Sequence, residues 1–366
     1  MRESAARLDA AIDAALGSRI VGCVVLFNRD GQRVYERAAG LADRETGRAM
    51  AQNAIFRLAS VTKPIVATAA LRMMERGLLG LGDPITKFLP WFTPAAPGGS
   101  TPVITLRQLM THTSGLAYDR VPADVSPGLA GPVISLEENL RRLAKVPLAF
   151  APGNGWAYGM GIDVLGCALA TINGSDLDGV IAKYVGEPLG LADLHFRVTD
   201  PSRLTVQYAD GTPPVRMGDP HTVTDLHGGT TVFSASRIFN REAPQSGGAG
   251  IAGTADEVMA VIDLYNEPRG LLETGTIAEA LRNQVGTLPR RPADAGKRFC
   301  LIGAVIDDPA AARSPCPPGT VDWGGAWGHN WILDPQNRIS IVVCTNTAFE
   351  GCNGQFRQDI RDAVYG

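Results

Sequence analysis

A serine and a lysine three positions apart sit in the most informative stretch of the chain, Phe56-Arg57-Leu58-Ala59-Ser60-Val61-Thr62-Lys63-Pro64. On a helix that spacing puts Lys63 on the same face as Ser60, one turn further on. A serine at a helix start has its hydroxyl near unpaired backbone N–H groups and near the positive end of the dipole. A lysine beside it in a dry cleft can lose its proton and become the base that activates the hydroxyl, which is the chemistry of a nucleophilic serine. The same residues also read as an N-capping serine followed by a surface lysine, so the pair must be weighed with its surroundings.

Other catalytic signatures are missing or misplaced. The chain contains no HExxH, no P-loop and no GxSxG. Gly248-Ala-Gly-Ile-Ala-Gly253 fits GxGxxG in letters, but without a preceding strand it reads as a loop entering a helix capped by Thr254. His112, between two threonines, reads as a turn-holding residue, and His195, His221 and His227 show no ligand spacing. Neither a metal nor a cofactor is expected.

The elements that must position Ser60 and Lys63 follow from periodicity. Met1–Leu16 reads as an amphipathic surface helix with no signal-peptide core, and no run of apolar residues is long enough to span a membrane. Arg19–Asn28 and Gln32–Ala39 read as a hairpin turning at Asp30-Gly31. Phe299–Ile306, Val321–Leu333 and Arg338–Asn346 read as three more strands, and Gln355–Val364 as a closing helix. Strands at both ends with helices outermost imply an α/β (α+β) sandwich with a mostly antiparallel sheet. Between them, Leu71–Gly77, Thr105–Thr111, Leu136–Ala144, Gly161–Ile172 and Leu177–Val185 carry helical periodicity, as an inserted lobe would. The expected division is residues 1–70 with 240–366 as the sheet domain and 71–239 as the helical one, with the active site in the cleft between. A long loop, 199–239, shows little pattern.

Several motifs in order turn the Ser60–Lys63 pair into a catalytic reading. Beyond the nucleophile segment they are Leu109-Met-Thr-His-Thr-Ser-Gly-Leu116, Pro152-Gly-Asn-Gly-Trp-Ala-Tyr158, Ser246-Gly-Gly-Ala-Gly250 and Trp323-Gly-Gly-Ala-Trp-Gly328. Over nearly its whole length the chain resembles the serine hydrolases of the β-lactamase and penicillin-binding-protein type, and within them the family VIII carboxylesterases. The resemblance makes Ser60 the nucleophile, Tyr158 the tyrosine of the second motif and Trp323-Gly324-Gly325 the third. It implies that Lys63 and Tyr158 move the proton and that the amides of Ser60 and Ala326 hold an oxyanion. Gly324 and Gly325 then let a ligand approach the backbone, with Met160, Trp327 and His329 also assigned to substrate binding.

Two departures from the β-lactamase and peptidase pattern bear on substrate. Met160 stands where those enzymes carry an amide-binding Asn, and Trp323 where they carry the Lys that attracts a carboxylate. An apolar site of this kind suits neutral small-molecule esters, unless Arg216 or Arg237 of the long loop restores the charge. The alternatives are an acyltransferase using the same acyl-enzyme, a weak β-lactamase or D-amino-acid peptidase, and a binding module without turnover. The net charge of −3, with no basic run, argues against nucleic acid or a membrane surface as partner. Assembly into a homo-oligomer is left open. The six cysteines show no paired spacing and read as thiols of a reducing cytoplasm, with Cys344 and Cys352 the one pair considered.

Overall fold

The structure, a computed structural model, describes residues 2–125, 128–130, 134–224 and 229–366. His227 therefore lies outside the described residues. The chain opens with α1 (Arg2–Ala15), then β1 (Gly22–Arg29), β2 (Gln32–Asp43) and β3 (Arg48–Ala49). Asp30 and Gly31 both take positive φ (51° and 70°), the tight turn that matches strand twist. β4 (Ile55–Arg57) leads through a 3₁₀ turn (Ala59–Val61) into α2 (Thr62–Glu75). The boundary expected at residue 70 falls inside α2, so this helix joins the sheet region to the helical one without a linker.

The middle of the chain carries α3 (Leu106–Met110), α4 (Leu136–Leu143), α5 (Gly161–Asn173), α6 (Leu177–Ile181) and α7 (Glu187–Leu189). Local chemistry fixes several helix starts: Thr105 forms a capping box with Gln108, and Ser135 and Asp176 cap α4 and α6. The segment read as patternless contains two small hairpins, β5 (Tyr208–Ala209) with β6 (Val215–Arg216) and β7 (His221–Thr224) with β8 (Thr230–Phe233). Strands of two to four residues are too short to leave an alternating signature.

β9 (Ala252–Thr254) pairs with β4, and Thr254 then caps α8 (Ala255–Asp263) through a capping box with Glu257. After α9 (Thr274–Leu281) come β10 (Lys297–Phe299), β11 (Ala304–Ile306), β12 (Val321–Gly325), β13 (His329–Asp334) and β14 (Ile339–Thr345). The chain closes with α10 (Glu350–Asn353) and α11 (Gln355–Tyr365). Two stretches expected as single strands, Phe299–Ile306 and Val321–Leu333, are instead hairpins. The first reverses at Cys300–Gly303, where Cys300 N–H donates to Gly303 O at 2.9 Å. The second reverses at Ala326–Gly328, and Gly328 takes φ 108°.

Among the described residues eight strands form one antiparallel sheet in the order β10-β11-β12-β13-β14-β1-β2-β3. Both faces are covered. Cys23, Val25 and Phe27 point with Ile341 and Val343 into a core under α1 and α11, built on Leu8, Ile12, Phe356 and Ile360. Val24, Leu26, Val342 and Cys344 point the other way, into the main core with Ile65, Ala69, Val258 and Ile262. A strand buried on both faces is apolar throughout, which is why β1 and β14 read as continuous runs. All six cysteines are outside disulfides. Among the described residues no single helix is long and apolar enough to cross a membrane.

Candidate active site

β4 delivers the chain to Ala59, which is 1% exposed and takes φ 45°. A left-handed conformation in a residue with a Cβ costs on the order of 1 kcal/mol, and here it coincides with the sharp entry into α2. Leu58 N–H donates to Ile251 O and Val61 N–H to Leu58 O, so both sides of the bend are held. Ser60 is thereby turned out of the core at the head of α2. Lys63, one turn on, is buried; its Nζ donates to Ser60 Oγ at 3.1 Å and to Gly248 O at 2.7 Å.

The acceptor carbonyl belongs to a loop that packs too closely for side chains. A Cβ on Gly247 would lie 2.5 Å from Ile162 O, and one on Gly248 would lie 2.5 Å from Asp163 Oδ2. Asp163, buried in the first turn of α5, accepts from the Ser246 hydroxyl and from Gly248 N–H. The carboxylate thus holds, through its amide, the same residue whose carbonyl accepts from Lys63.

Tyr158 reaches the same serine from the loop before α5. Its Oη donates to Ser60 Oγ at 2.8 Å, and Trp323 Nε1 donates to Tyr158 Oη at 3.1 Å. Lys63 Nζ lies 4.7 Å from the centre of the Tyr158 ring. Four residues separated by as much as 263 positions in sequence therefore meet around one hydroxyl oxygen and its phenol partner.

Two further backbone amides, those of Ser60 and Ala326, lie at the junction of this bend with the β12–β13 turn. Gly325 O accepts from Gly328 N–H at 2.9 Å within the β12–β13 turn. In a trans peptide the next N–H, that of Ala326, points away from that carbonyl and out of the turn. Phe349 N–H anchors Ala326 O at 3.1 Å from the other side. Gly325 packs on the nucleophile bend: a Cβ there would lie 2.4 Å from Leu58 O and 3.4 Å from Ser60 N. Among the described residues neither the Ser60 nor the Ala326 amide donates to an acceptor.

Other assigned residues are elsewhere. Met160 is 3% exposed and belongs to the main core, its amide donating to Leu116 O, so it does not line the cleft. Trp327 is buried against Phe233 and Phe349. His329 is fully buried; its ring Nε2 bonds to Arg57 O at 2.7 Å, and burial pushes its pKa down to about 4. It is a neutral donor tying β13 to the strand before the nucleophile. The two glycines are also closely packed: Gly325 sits against Leu58, and a Cβ on Gly324 would lie 2.8 Å from Cys352 Sγ. Both loop arginines have partners of their own. Arg216 pairs with Glu45, and Arg237 donates to the carbonyls of Gly128, Ala130 and Pro244.

Tyr118 is a site residue that the sequence reading passed over. Its ring centre lies 5.3 Å from that of Tyr158 and 5.7 Å from Lys63 Nζ. The residue is 36% exposed, and desolvation together with nearby Asp163 raises its phenol above the usual pKa. It follows the Thr-Ser-Gly-Leu segment by two positions, and its amide donates to Tyr158 O at 3.1 Å.

The chain is 45% identical over 378 residues to Esterase EstB of Burkholderia gladioli, spanning 99% of this chain and 95% of that protein. It is 27% identical over 362 residues to Acyltransferase calJ of Penicillium decumbens, covering 87% of this chain and 82% of that one. Its fold superposes on the solved structure of EstCE1, described as a hydrolase with promiscuous acyltransferase activity, with a TM-score of 0.93 and 38% identity, covering 100% of this chain and 99% of that one. The Beta-lactamase family model matches residues 8–363, and with the nucleophile bend, the facing amides and the antiparallel sheet in place, this chain belongs to the β-lactamase family.

Proposed function

We propose that the protein is a serine hydrolase of carboxylic esters, working through an acyl-enzyme on Ser60. The observation that carries this is Ser60 Oγ held at 3.1 Å from Lys63 Nζ and 2.8 Å from Tyr158 Oη. Ser60 Oγ attacks the ester carbonyl carbon, and its proton passes to the Lys63–Tyr158 pair. The charge that develops on the carbonyl oxygen is met by the amides of Ser60 and Ala326. Collapse breaks the bond to the alcohol oxygen, which leaves with the proton returned by Tyr158. Water then attacks the acyl-serine by the same route in reverse. No step calls for a cofactor.

The walls of the site support neutral esters as substrates. Tyr118, Tyr158 and Trp323 present aromatic surface, and the two loop arginines are engaged elsewhere. Acyl transfer to an alcohol is a second reading, favoured by the resemblance to calJ and EstCE1. Intact-protein mass spectrometry with p-nitrophenyl butyrate, nitrocefin and a panel of alcohols tests both readings. A butyryl adduct is expected on the wild type and none on Ser60→Ala, with kcat/KM on the ester exceeding that on nitrocefin by at least about 10²-fold. Turnover by Ser60→Ala near the wild-type rate would remove Ser60 as nucleophile, and equal efficiency on the two substrates would remove the ester preference.

A further inference from the structure

His112 takes no part in the proton movements above, yet it grips three consecutive residues around the phenol. Its carbonyl accepts Ala157 N–H at 3.0 Å, and its ring Nδ1 accepts Gly159 N–H at 3.4 Å. Between those two bonds its ring meets the Tyr158 ring edge-on, with centres 4.6 Å apart and planes at 63°. On its far side the imidazole packs edge-on against Phe299 at 5.1 Å, and Phe299 in turn meets Trp323 at 5.3 Å. One buried ring thus stands behind both the phenol and, through Phe299, the indole that donates to it.

The demands on this position are unusually specific. His112 takes φ 59°, a conformation that Asn, Asp and His adopt more readily than other residues with a Cβ. An acceptor must face Gly159 N–H, and a flat ring must back the phenol. Histidine meets all three demands at once. Because Nδ1 accepts, the proton of the neutral ring sits on Nε2. Burial, followed by the charges of Lys63, Arg290 and Arg291, holds its pKa well below the usual value. The segment it grips has nowhere else to go, since a Cβ on Gly159 would lie 1.6 Å from Leu116 O.

We propose that His112 is a positioning residue for catalysis, one that sets the Tyr158 phenol against Ser60 Oγ and acts only through it. The proposal rests on the role given above to Tyr158. A loss of about 1 Å in the placement of a reacting group can lower a rate by about 10²-fold, while substrate binding at the cleft is left alone.

The test compares His112→Phe and His112→Asn, each alone and in a Tyr158→Phe background, with p-nitrophenyl butyrate as substrate and circular dichroism as the check on folding. His112→Phe keeps a ring and removes the acceptor, while His112→Asn keeps the backbone conformation and an acceptor and removes the ring. With His112→Phe, kcat should fall by about 10²-fold with KM within about threefold, and His112→Asn should recover about tenfold of that loss, leaving kcat about tenfold below wild type. In the Tyr158→Phe background either change should cost less than about twofold more, because its target has gone. The proposal is overturned if His112→Phe keeps its kcat, or if the losses multiply in the double variants. If His112→Phe does not fold, the two His112→Asn measurements decide by the same criterion. A Tyr158→Phe enzyme with full activity would instead overturn the role of Tyr158, and this proposal with it.

Discussion

Trp323 Nε1 donates to Tyr158 Oη at 3.1 Å, and that same phenol reaches Ser60 Oγ at 2.8 Å. Indole nitrogen is a donor only, so this contact favours whichever state of the phenol carries more negative charge. The residue that removes a carboxylate anchor from the site therefore also supports the proton-transfer partner. Trp323→Phe keeps the ring and deletes the donor. A hydrogen bond to a charged oxygen is worth about 1.5–3 kcal/mol, so kcat should drop by at least about tenfold with little change in KM. Steady-state kinetics on a p-nitrophenyl ester check this, and an unchanged kcat would reduce the indole to a cleft wall.

Lys63 and Tyr158 converge on one oxygen, so they should behave as a unit. Lys63→Ala and Tyr158→Phe should each lower kcat by about 10²-fold or more. The double variant should be scarcely slower than the worse single one. Losses that multiply would mean the two act in separate steps.

Gly325→Ala should disturb the amides of Ala326 and Ser60 while leaving the Ser60 hydroxyl and its proton partners in the chain. Its methyl group would meet Leu58 O at 2.4 Å, so β12 must shift away from the bend and take Ala326 N–H with it. Loss of one oxyanion donor costs about 10²–10³-fold in kcat. Acylation rates from stopped-flow measurements should fall by that order while near-ultraviolet circular dichroism stays close to wild type.

Asp210 gives a signature in pH. Burial, with the Glu350 carboxylate adding to it, raises its pKa from 3.8 to about 7, although Glu350 N–H donates to it at 3.1 Å. Between those two values the folded protein holds a proton that the unfolded chain releases. The stability this supplies is complete below about pH 4 and is lost as pH rises through about 7. Asp210→Asn has no such slope, so its Tm should gain on the wild type between pH 4 and 8 by at least about 2 °C, read by differential scanning fluorimetry. A difference that stays flat would mean the carboxyl is ionised throughout.

What the sequence made legible was local. Ser60 and Lys63 share one helix face, Thr254 caps α8, and Asp30-Gly31 turns the first hairpin; each is set by residues within a few positions. The reversals at Cys300–Gly303 and Ala326–Gly328 were hidden because the turns themselves are built of buried apolar residues, Cys300, Leu301, Ile302 and Trp327, so no polar break marks them. Met160, Trp327 and His329 were assigned to the cleft because they neighbour motif residues, whereas the directions of their side chains depend on the core each one fills. Tyr118 and Asp163 were invisible for a related reason. Their places are fixed by the approach of residues 117 and 159 and by the glycine loop at 247–248, contacts that span 42 and 85 positions.

The pairing of β1 with β14 has a consequence for how the protein comes into being. Ser60, Lys63 and Tyr158 all precede Ala326 in the chain, and β12 is joined to β1 through β13 and β14. A nascent chain can therefore carry the nucleophile and its proton partners but not the second amide facing them. A chain cut before β14 would therefore keep the nucleophile and lose the strand pairing that carries the second amide, whereas a chain cut within α11 keeps both.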